Sequence, residues 1–84
     1  MTGNELLTIM RKEKIEPCYY KIYGVGGPIF EVVYHLEHKG NKYRLLITER
    51  AEKIYDKDFD TEDEACKNFL MEMSDVYPEL KKYI

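Results

Sequence analysis

The chain has 84 residues, which is enough for one small domain, residues 1–84, and leaves no room for a second. Its composition, 44% hydrophobic and 35% charged, is typical of a globular chain. No apolar run approaches the length of a membrane span and no export signal is visible, so we expect a cytoplasmic protein. The formal net charge of −3 disfavours phosphate backbones, and we expect neither nucleic acid nor a membrane as a partner.

The first predicted element is an amphipathic helix over about residues 3–14. Thr2 and Glu5 have the spacing of a capping box, in which each side chain bonds the other residue's backbone N–H. Three apolar residues follow at helical spacing and would face the core: Leu6, Ile9 and Met10. Pro17 is expected to end this helix or to follow its end, because the residue before a proline avoids helical geometry.

The middle of the chain predicts three or four β-strands. Aromatic and β-branched residues dominate, and apolar side chains alternate with polar ones. The strands are expected at residues 18–23, 29–38, 43–48 and 53–59. The connections are expected at the glycine-rich stretch 24–28 and at the short turns 39–42 and 49–52. Because tight turns join antiparallel neighbours, we predict an antiparallel meander.

A second helix is predicted to begin at another capping box, formed by Thr61 and Glu64. Five residues of this helix form a core-facing stripe: Ala65, Cys66, Phe69, Leu70 and Met73. A short last helix is expected at residues 78–84, with Pro78 in its first turn. The predicted fold class is therefore α+β with two layers, in the order α-β-β-β-(β)-α. One sheet face would carry the helices, and the other would face water or a partner.

Residues 56–65 are the most acidic segment, and Asp56, Asp58 and Asp60 fall at every second position. A calcium loop of the EF-hand type would need Gly and Glu further on, where this chain has Thr61 and Lys67. Strand alternation explains the spacing without a metal, because it places Ile54, Asp56 and Asp58 on one face of a strand. We interpret the first half of the segment as the exposed acidic face of a strand and the second half as a helix cap.

Residue types that bind metals are present but scattered. His35 and His38 are three apart, which on a strand points them to opposite faces. Cys18 and Cys66 share no short spacing, so we expect two buried thiols and no metal site; a disulfide between them depends on geometry and stays open.

Neither catalysis nor a cofactor is indicated. Ser74 is the only serine, and no histidine is paired with it in the sequence. The carboxylates are expected to be exposed, where their pKa values are not tuned for acid–base chemistry. The glycine-rich stretch lacks the Gly-Lys-Ser/Thr of a phosphate loop and leads into a strand, so a hairpin loop is the favoured reading. We therefore predict a protein that is not an enzyme.

Tyrosine is frequent, with eight residues in the chain. Two explanations stay open: strand propensity with partial burial, and a binding face, because Tyr is enriched at interface hot spots. Alternation leaves four of them as candidates for such a face: Tyr19, Tyr23, Tyr43 and Tyr55.

Residues 43–70 combine an aromatic strand, a turn reading Glu-Arg-small, a strand that ends in Phe, and an acidic capped helix. These features are carried by Tyr43, Glu49-Arg50-Ala51, Phe59 and residues 63–70. Together with the N-terminal helix and the segment YKIYGVGG, they resemble small bacterial immunity proteins, which protect a cell from its own polymorphic or contact-dependent growth-inhibition toxin. Ala51 stands where that pattern has Gly. The resemblance implies a stoichiometric inhibitor of one cognate toxin, often a nuclease.

The uneven charge agrees with this implication. Residues 1–55 carry +2 and residues 56–84 carry −5, so the acidity is concentrated in the last third. An acidic surface can cover the basic cleft of a nuclease, and its field would speed association. The expected toxin-binding residues are four carboxylates and one aromatic anchor: Glu49, Glu52, Tyr55, Asp56 and Asp58.

The element order also resembles that of double-stranded RNA-binding domains, with GGPIF at 26–30 and EDEACKNFL at 62–70 as the similar segments. That family places lysines at the start of its second helix, against phosphates. Here Glu62, Asp63 and Glu64 occupy those positions, so the alternative is a non-catalytic interaction module with an acidic surface. An adaptor or phage-type accessory protein without a toxin partner is a third reading. The sequence does not indicate an oligomeric state.

Overall fold

The computed structural model describes residues 1–27 and 31–84, and it confirms the α+β class. Two helices contribute to a core on one face of a five-stranded, mostly antiparallel sheet. The elements in chain order are α1 (Gly3–Lys12), β1 (Tyr20–Ile22), β2 (Val25–Gly26), β3 (Val32–Lys39), β4 (Lys42–Glu49), β5 (Glu52–Phe59) and α2 (Glu62–Met73). Two 3-10 segments, Pro17–Tyr19 and Pro78–Tyr83, follow α1 and α2.

Helix α1 begins as the sequence predicted. The Thr2 hydroxyl accepts a hydrogen bond from the Glu5 backbone N–H at 3.2 Å, and the Glu5 carboxylate accepts one from the Thr2 N–H at 3.1 Å. The helix ends two residues earlier than expected, at Lys12. The cause is local, because Lys14 adopts a left-handed conformation, φ 59°, which cannot continue a right-handed helix.

The sheet order is β2-β1-β3-β4-β5. Strands β3, β4 and β5 form the antiparallel meander that the sequence predicted. β1 differs, because it pairs parallel with β3, with Tyr20 opposite Tyr34 and Ile22 opposite Leu36. The chain reverses between β1 and β2 and again before β3, so β1 and β3 run in the same direction.

The predicted first strand, residues 18–23, is shorter than expected. Its beginning is a 3-10 turn that follows Pro17, and its end is a two-residue turn at Tyr23 and Gly24, with φ values of 50° and 82°. The glycine-rich stretch predicted as a loop contains β2, which pairs antiparallel with β1. Residues 28–30, which include the predicted start of the next strand at Ile29 and the alternating Phe30, lie outside the described residues.

The core consists largely of residues that helical spacing and strand alternation predicted. Buried residues shared by that prediction and the structure are Leu6, Ile9, Met10, Tyr34, Leu36, Leu45, Ile47, Ala65, Cys66, Phe69, Leu70 and Met73. Val32 and Tyr43, which share a face with the buried residues of their strands, are only partly buried against this core. Burial of apolar surface stabilises a folded protein by about 25 cal/mol per Å2, and it is the main favourable contribution to folding for a sheet that is covered on one side.

The β4–β5 hairpin turns at Arg50 and Ala51, which both lie in the left-handed region, with φ values of 52° and 68°. This is the geometry of a type I′ turn, which favours Asn and Gly because other residues pay about 1–2 kcal/mol there. The turn that the resemblance associates with Gly is therefore formed here with Ala, at a cost in backbone strain.

Ala51→Gly is expected to stabilise the domain by about 0.5 kcal/mol. The substitution removes the left-handed strain, and the greater freedom of Gly in the unfolded chain cancels part of the gain. Urea denaturation should show a higher midpoint with an unchanged slope. Glu52→Gly, one residue further on in β5, is the control and should destabilise. Destabilisation by Ala51→Gly would contradict the left-handed turn.

Candidate functional site

One face of the sheet is not covered by α1 or α2, and we call it the open face. Cross-strand pairing orders its side chains in rows, one of which runs Lys21, His35, Leu46, Asp56 from β1 to β5. The charged residues that pairing and alternation place on this face are Lys21, Lys39, Lys42, Arg44, Lys53, Glu37, Asp56 and Asp58. Five are cationic and three anionic, so the open face carries a formal charge of +2 in a chain of net charge −3.

Asp56, at the centre of the acidic strand, is neutralised within the sheet. Arg44 donates two hydrogen bonds to it, from Nε to Oδ1 at 2.7 Å and from Nη2 to Oδ2 at 2.6 Å. Lys53 lies 3.7 Å from the same carboxylate, and Glu37 pairs with Arg44 at 3.3 Å. The hydrogen bond from Arg44 holds the pKa of Asp56 below its usual value. This carboxylate is therefore tied to the fold.

Asp58 lies in the next row of the open face, opposite Arg44 on β4. Its side chain is exposed and makes no hydrogen bond or ion pair with the described part of the chain. Arg44 is engaged by Asp56 and Glu37 instead. Asp58 is therefore an exposed negative charge without an ion pair to the described residues, as is Glu52 at the start of the same strand.

The second half of the acidic run begins α2 with Thr61 as its N-cap, as the sequence predicted. The capping box is only half formed, because the Glu64 carboxylate accepts from the Thr61 hydroxyl instead of from its backbone N–H. The Thr61 hydroxyl accepts a hydrogen bond from the Glu64 N–H at 3.2 Å. Asp60 forms an ion pair with Lys42, which joins the end of β5 to β4. These charges complement the positive end of the helix dipole.

Two more acids of this helix turn hold the N-terminal part of the chain. Glu62 accepts hydrogen bonds from the Gly3 N–H at 2.8 Å and from the Tyr23 hydroxyl at 2.7 Å, and these bonds lower its pKa. Asp63 accepts from the Met1 ammonium at 2.7 Å. Glu62 and Asp63, which belong to the acidic segment of the sequence, are therefore not free surface charges but connect the N-terminal part of the chain to α2.

The predicted toxin-binding residues fall into two groups. Glu49 and Glu52 are exposed and opposite each other at the β4–β5 turn, and Asp56 and Asp58 lie further along β5 on the open face. Tyr55 is half-buried and packs against the core on the helix side. The pairing register therefore places Asp56 and Asp58 on the open face, and Glu49 and Glu52 on the other face together with Tyr55, near the β4–β5 turn.

The β-bulge at Ile54 is a feature of this edge that the sequence did not predict. Thr48 pairs with Lys53 and Ile47 pairs with Tyr55, so Ile54 is an extra residue in a β-bulge. It is an apolar residue that is 57% exposed, in a strand that is otherwise rich in charged residues. Simple alternation had placed Ile54 on the face of Asp56, and no sequence signal marks the bulge.

The predicted tyrosine candidates have mostly internal roles. The Tyr19 ring lies 6.2 Å from that of Tyr77, and Tyr43 stacks on His38 at 4.4 Å. Tyr23 donates its hydroxyl to Glu62. Partial burial therefore accounts for Tyr19 and Tyr43, whereas Tyr23 is exposed and is held by its hydrogen bond to Glu62.

His35 and His38 point to opposite faces, as their spacing predicted. His35 Nε2 lies 3.1 Å from the Thr48 hydroxyl on the open face, and burial lowers its pKa. Cys18 and Cys66 are both free thiols, but only Cys66 is buried as expected, because Cys18 lies in the partly exposed 3-10 turn after Pro17. Burial raises the pKa of Cys66 to about 12. Across residues 1–27 and 31–84, no three His, Cys, Asp or Glu side chains are grouped to hold a metal ion.

A groove of about 510 Å3 opens between β1 and β3, away from β5. It lies where β1 ends at its two-residue turn while β3 continues. Lys21, Lys39 and Glu37 contribute both signs of charge to its lining, which suits a polar occupant better than an apolar one.

No family model, no curated protein and no solved structure matches this chain significantly. None of the described helices combines the length and hydrophobicity that a membrane crossing requires.

Proposed function

We propose that this protein is an immunity protein, which binds a cognate toxin domain and neutralises it as a stoichiometric inhibitor. The observation that supports this function is a group of exposed side chains at the β4–β5 edge, which we call the β5 patch: Glu49, Glu52, Ile54 and Asp58. The three acids form no ion pair within residues 1–27 and 31–84, in contrast to Asp56, Asp60 and Asp63.

The β5 patch has the composition of a small binding site. One exposed apolar side chain, Ile54, lies on the same strand as Glu52 and Asp58, and interfaces likewise combine an apolar anchor with a charged rim. The nearby cations have internal contacts, since Lys53 lies near Asp56 and Lys57 lies over the Phe59 ring. The patch therefore favours a basic partner surface, such as the phosphate-binding cleft of a nuclease.

The strained turn at Arg50 and Ala51 supports the same location. Strained left-handed backbone at non-glycine residues, as at Arg50 and Ala51, is enriched at functional sites. The turn projects Glu49 and Glu52 side by side, and like charges facing each other across two strands are unfavourable in the free protein. A cationic partner would relieve that repulsion on binding.

The function is tested by co-expression with a candidate toxin, such as a variable C-terminal domain encoded directly upstream of this gene. We expect this chain to rescue cell growth and to co-purify with the domain in a one-to-one complex. Failure of both rescue and co-purification would refute the proposal. Binding of duplex RNA at low salt in a gel shift would favour the RNA-binding alternative instead.

Asp58→Lys is expected to slow association with the toxin about tenfold at low salt and less at high salt. The reason is that Asp58 contributes to long-range attraction that salt screens. Stopped-flow kinetics at two ionic strengths measure the effect. Asp75→Lys makes the same charge change at an exposed position outside the patch and is the matched control. Equal slowing in both variants would show that only the net charge matters.

A further inference from the structure

We propose that the outer edge of β5 accepts an extended, lysine-bearing segment of the partner as an additional strand of the sheet. This inference rests on the proposed function and specifies how the partner binds. β5 is the last strand in the sheet order, and within residues 1–27 and 31–84 it pairs with β4 on one side and with no strand on the other. A strand in this position leaves half of its backbone N–H and C=O groups free for another chain.

The hairpin geometry identifies the free groups. In a two-residue hairpin the residues flanking the turn, Glu49 and Glu52, exchange both hydrogen bonds. Bonded and non-bonded pairs then alternate, and the bulge at Ile54 keeps Ile47 and Tyr55 as a bonded pair. Asp56 and Asp58 therefore belong to non-bonded pairs with β4, and their backbone groups point to the free edge.

The neighbouring hairpin gives the same assignment independently. Lys39 and Lys42 flank the two-residue turn between β3 and β4, so they form a bonded pair. The backbone groups of Tyr43, the next residue in β4, must then point to β5, which makes Tyr43 and Phe59 a bonded pair. Counting back from Phe59 again leaves Asp58 and Asp56 facing outward.

The side chains of these residues indicate the charge of the incoming strand. A residue placed directly opposite Asp58 would have its Cβ about 5 Å away on the open face. Asp58 forms no ion pair with the described residues, whereas Asp56 is held by Arg44. A lysine or arginine opposite Asp58 would form the ion pair that Asp58 does not form with the described residues. Ile54, where the regular part of β5 meets the bulge, would add an apolar contact.

The same charges oppose pairing of this edge with a second copy of the chain. In antiparallel self-pairing centred on Asp56 or Asp58, that aspartate faces its own copy, and a register centred on Lys57 also places Asp56 opposite Asp58. Like charges directly opposite each other destabilise a strand pair. The charges on this edge therefore disfavour pairing with a second copy of the chain and favour pairing with a strand of the opposite charge pattern.

The edge is tested with a synthetic peptide, so the result does not depend on a toxin. The probe is a capped seven-residue peptide of alternating lysine and valine, titrated into the 15N-labelled protein. We expect chemical-shift changes along β5 and at least tenfold slower amide exchange at Asp56 and Asp58. A glutamate–valine peptide of the same length, and a lysine–valine peptide with methylated backbone nitrogens, should not produce these effects.

Two variants separate backbone pairing from charge. Asp58→Ala removes the carboxylate and keeps the N–H, whereas Asp58→Pro also removes the outward N–H, which an edge strand tolerates. We expect the proline variant to bind the peptide at least tenfold more weakly than the alanine variant at similar thermal stability. Equal affinities, shifts confined to another face, or no binding at millimolar peptide would overturn this inference. Toxin rescue and co-purification would still decide the proposed function.

Discussion

Phe69→Ala is expected to lower the free energy of unfolding by about 4 kcal/mol, the largest loss among the variants considered. The Phe69 side chain is fully buried in the middle of α2, and its ring lies 6.0 Å from that of Tyr34 on β3. Truncation removes this contact and leaves a cavity between helix and sheet, which costs roughly 3–5 kcal/mol for Phe in a packed core.

This loss is severe for a chain of 84 residues, because small domains have only roughly 4–13 kcal/mol of stability. The melting temperature should fall by about 20 °C, as measured by circular dichroism. Met71→Ala, in the same helix at a side chain that is 50% exposed, is the control and should cost less than about 1 kcal/mol. Similar losses in both variants would contradict the packing of α2.

Gly26→Ala is expected to cost about 3 kcal/mol, the second largest effect. Gly26 has a φ of 135°, outside the range that L-residues adopt, and a Cβ added there would lie 2.0 Å from the Tyr20 carbonyl oxygen. Backbone strain and the steric conflict each contribute roughly 1–3 kcal/mol. The clash involves backbone atoms, so relief requires β2 to separate from β1.

Gly24→Ala provides the comparison for this prediction. Gly24 also has a positive φ, 82°, but an added Cβ meets no atom within 4 Å. Its substitution should cost only the left-handed penalty of about 1 kcal/mol. Chemical denaturation of the two variants measures the difference between strain alone and strain with a clash. If Gly26→Ala were the milder of the two, the pairing of β2 with β1 would be wrong.

Local sequence patterns predicted the elements whose contacts are close in the chain. Capping boxes located the beginnings of both helices, and alternation located β3, β4 and β5 together with the core positions on them. These features depend on residues a few positions apart. The parallel pairing of β1 with β3 was not predictable in this way, because it depends on where the chain returns after β2.

The candidate site was predictable in composition but not in organisation. Alternation correctly separated Tyr55 from Asp56 and Asp58. The sequence could not show that Arg44 forms an ion pair with Asp56, or that Glu62 accepts a hydrogen bond from Gly3, because these partners are 12 and 59 residues apart in the chain. The bulge at Ile54 has no residue signature of its own. Net charge alone therefore overestimated how much of the acidic segment is available to a partner.

The parallel pairing of β1 also affects the order in which the chain can fold. The β3–β4 and β4–β5 hairpins each close over two residues, so their loop-closure entropy is small. β1 must find β3 across residues 23–31, and α1 must find α2 across most of the sequence. The three-stranded meander is thus the part that can assemble first, with the N-terminal segment docking onto it afterwards. The proposed binding edge belongs to this early unit, so it can be formed before the rest of the domain closes.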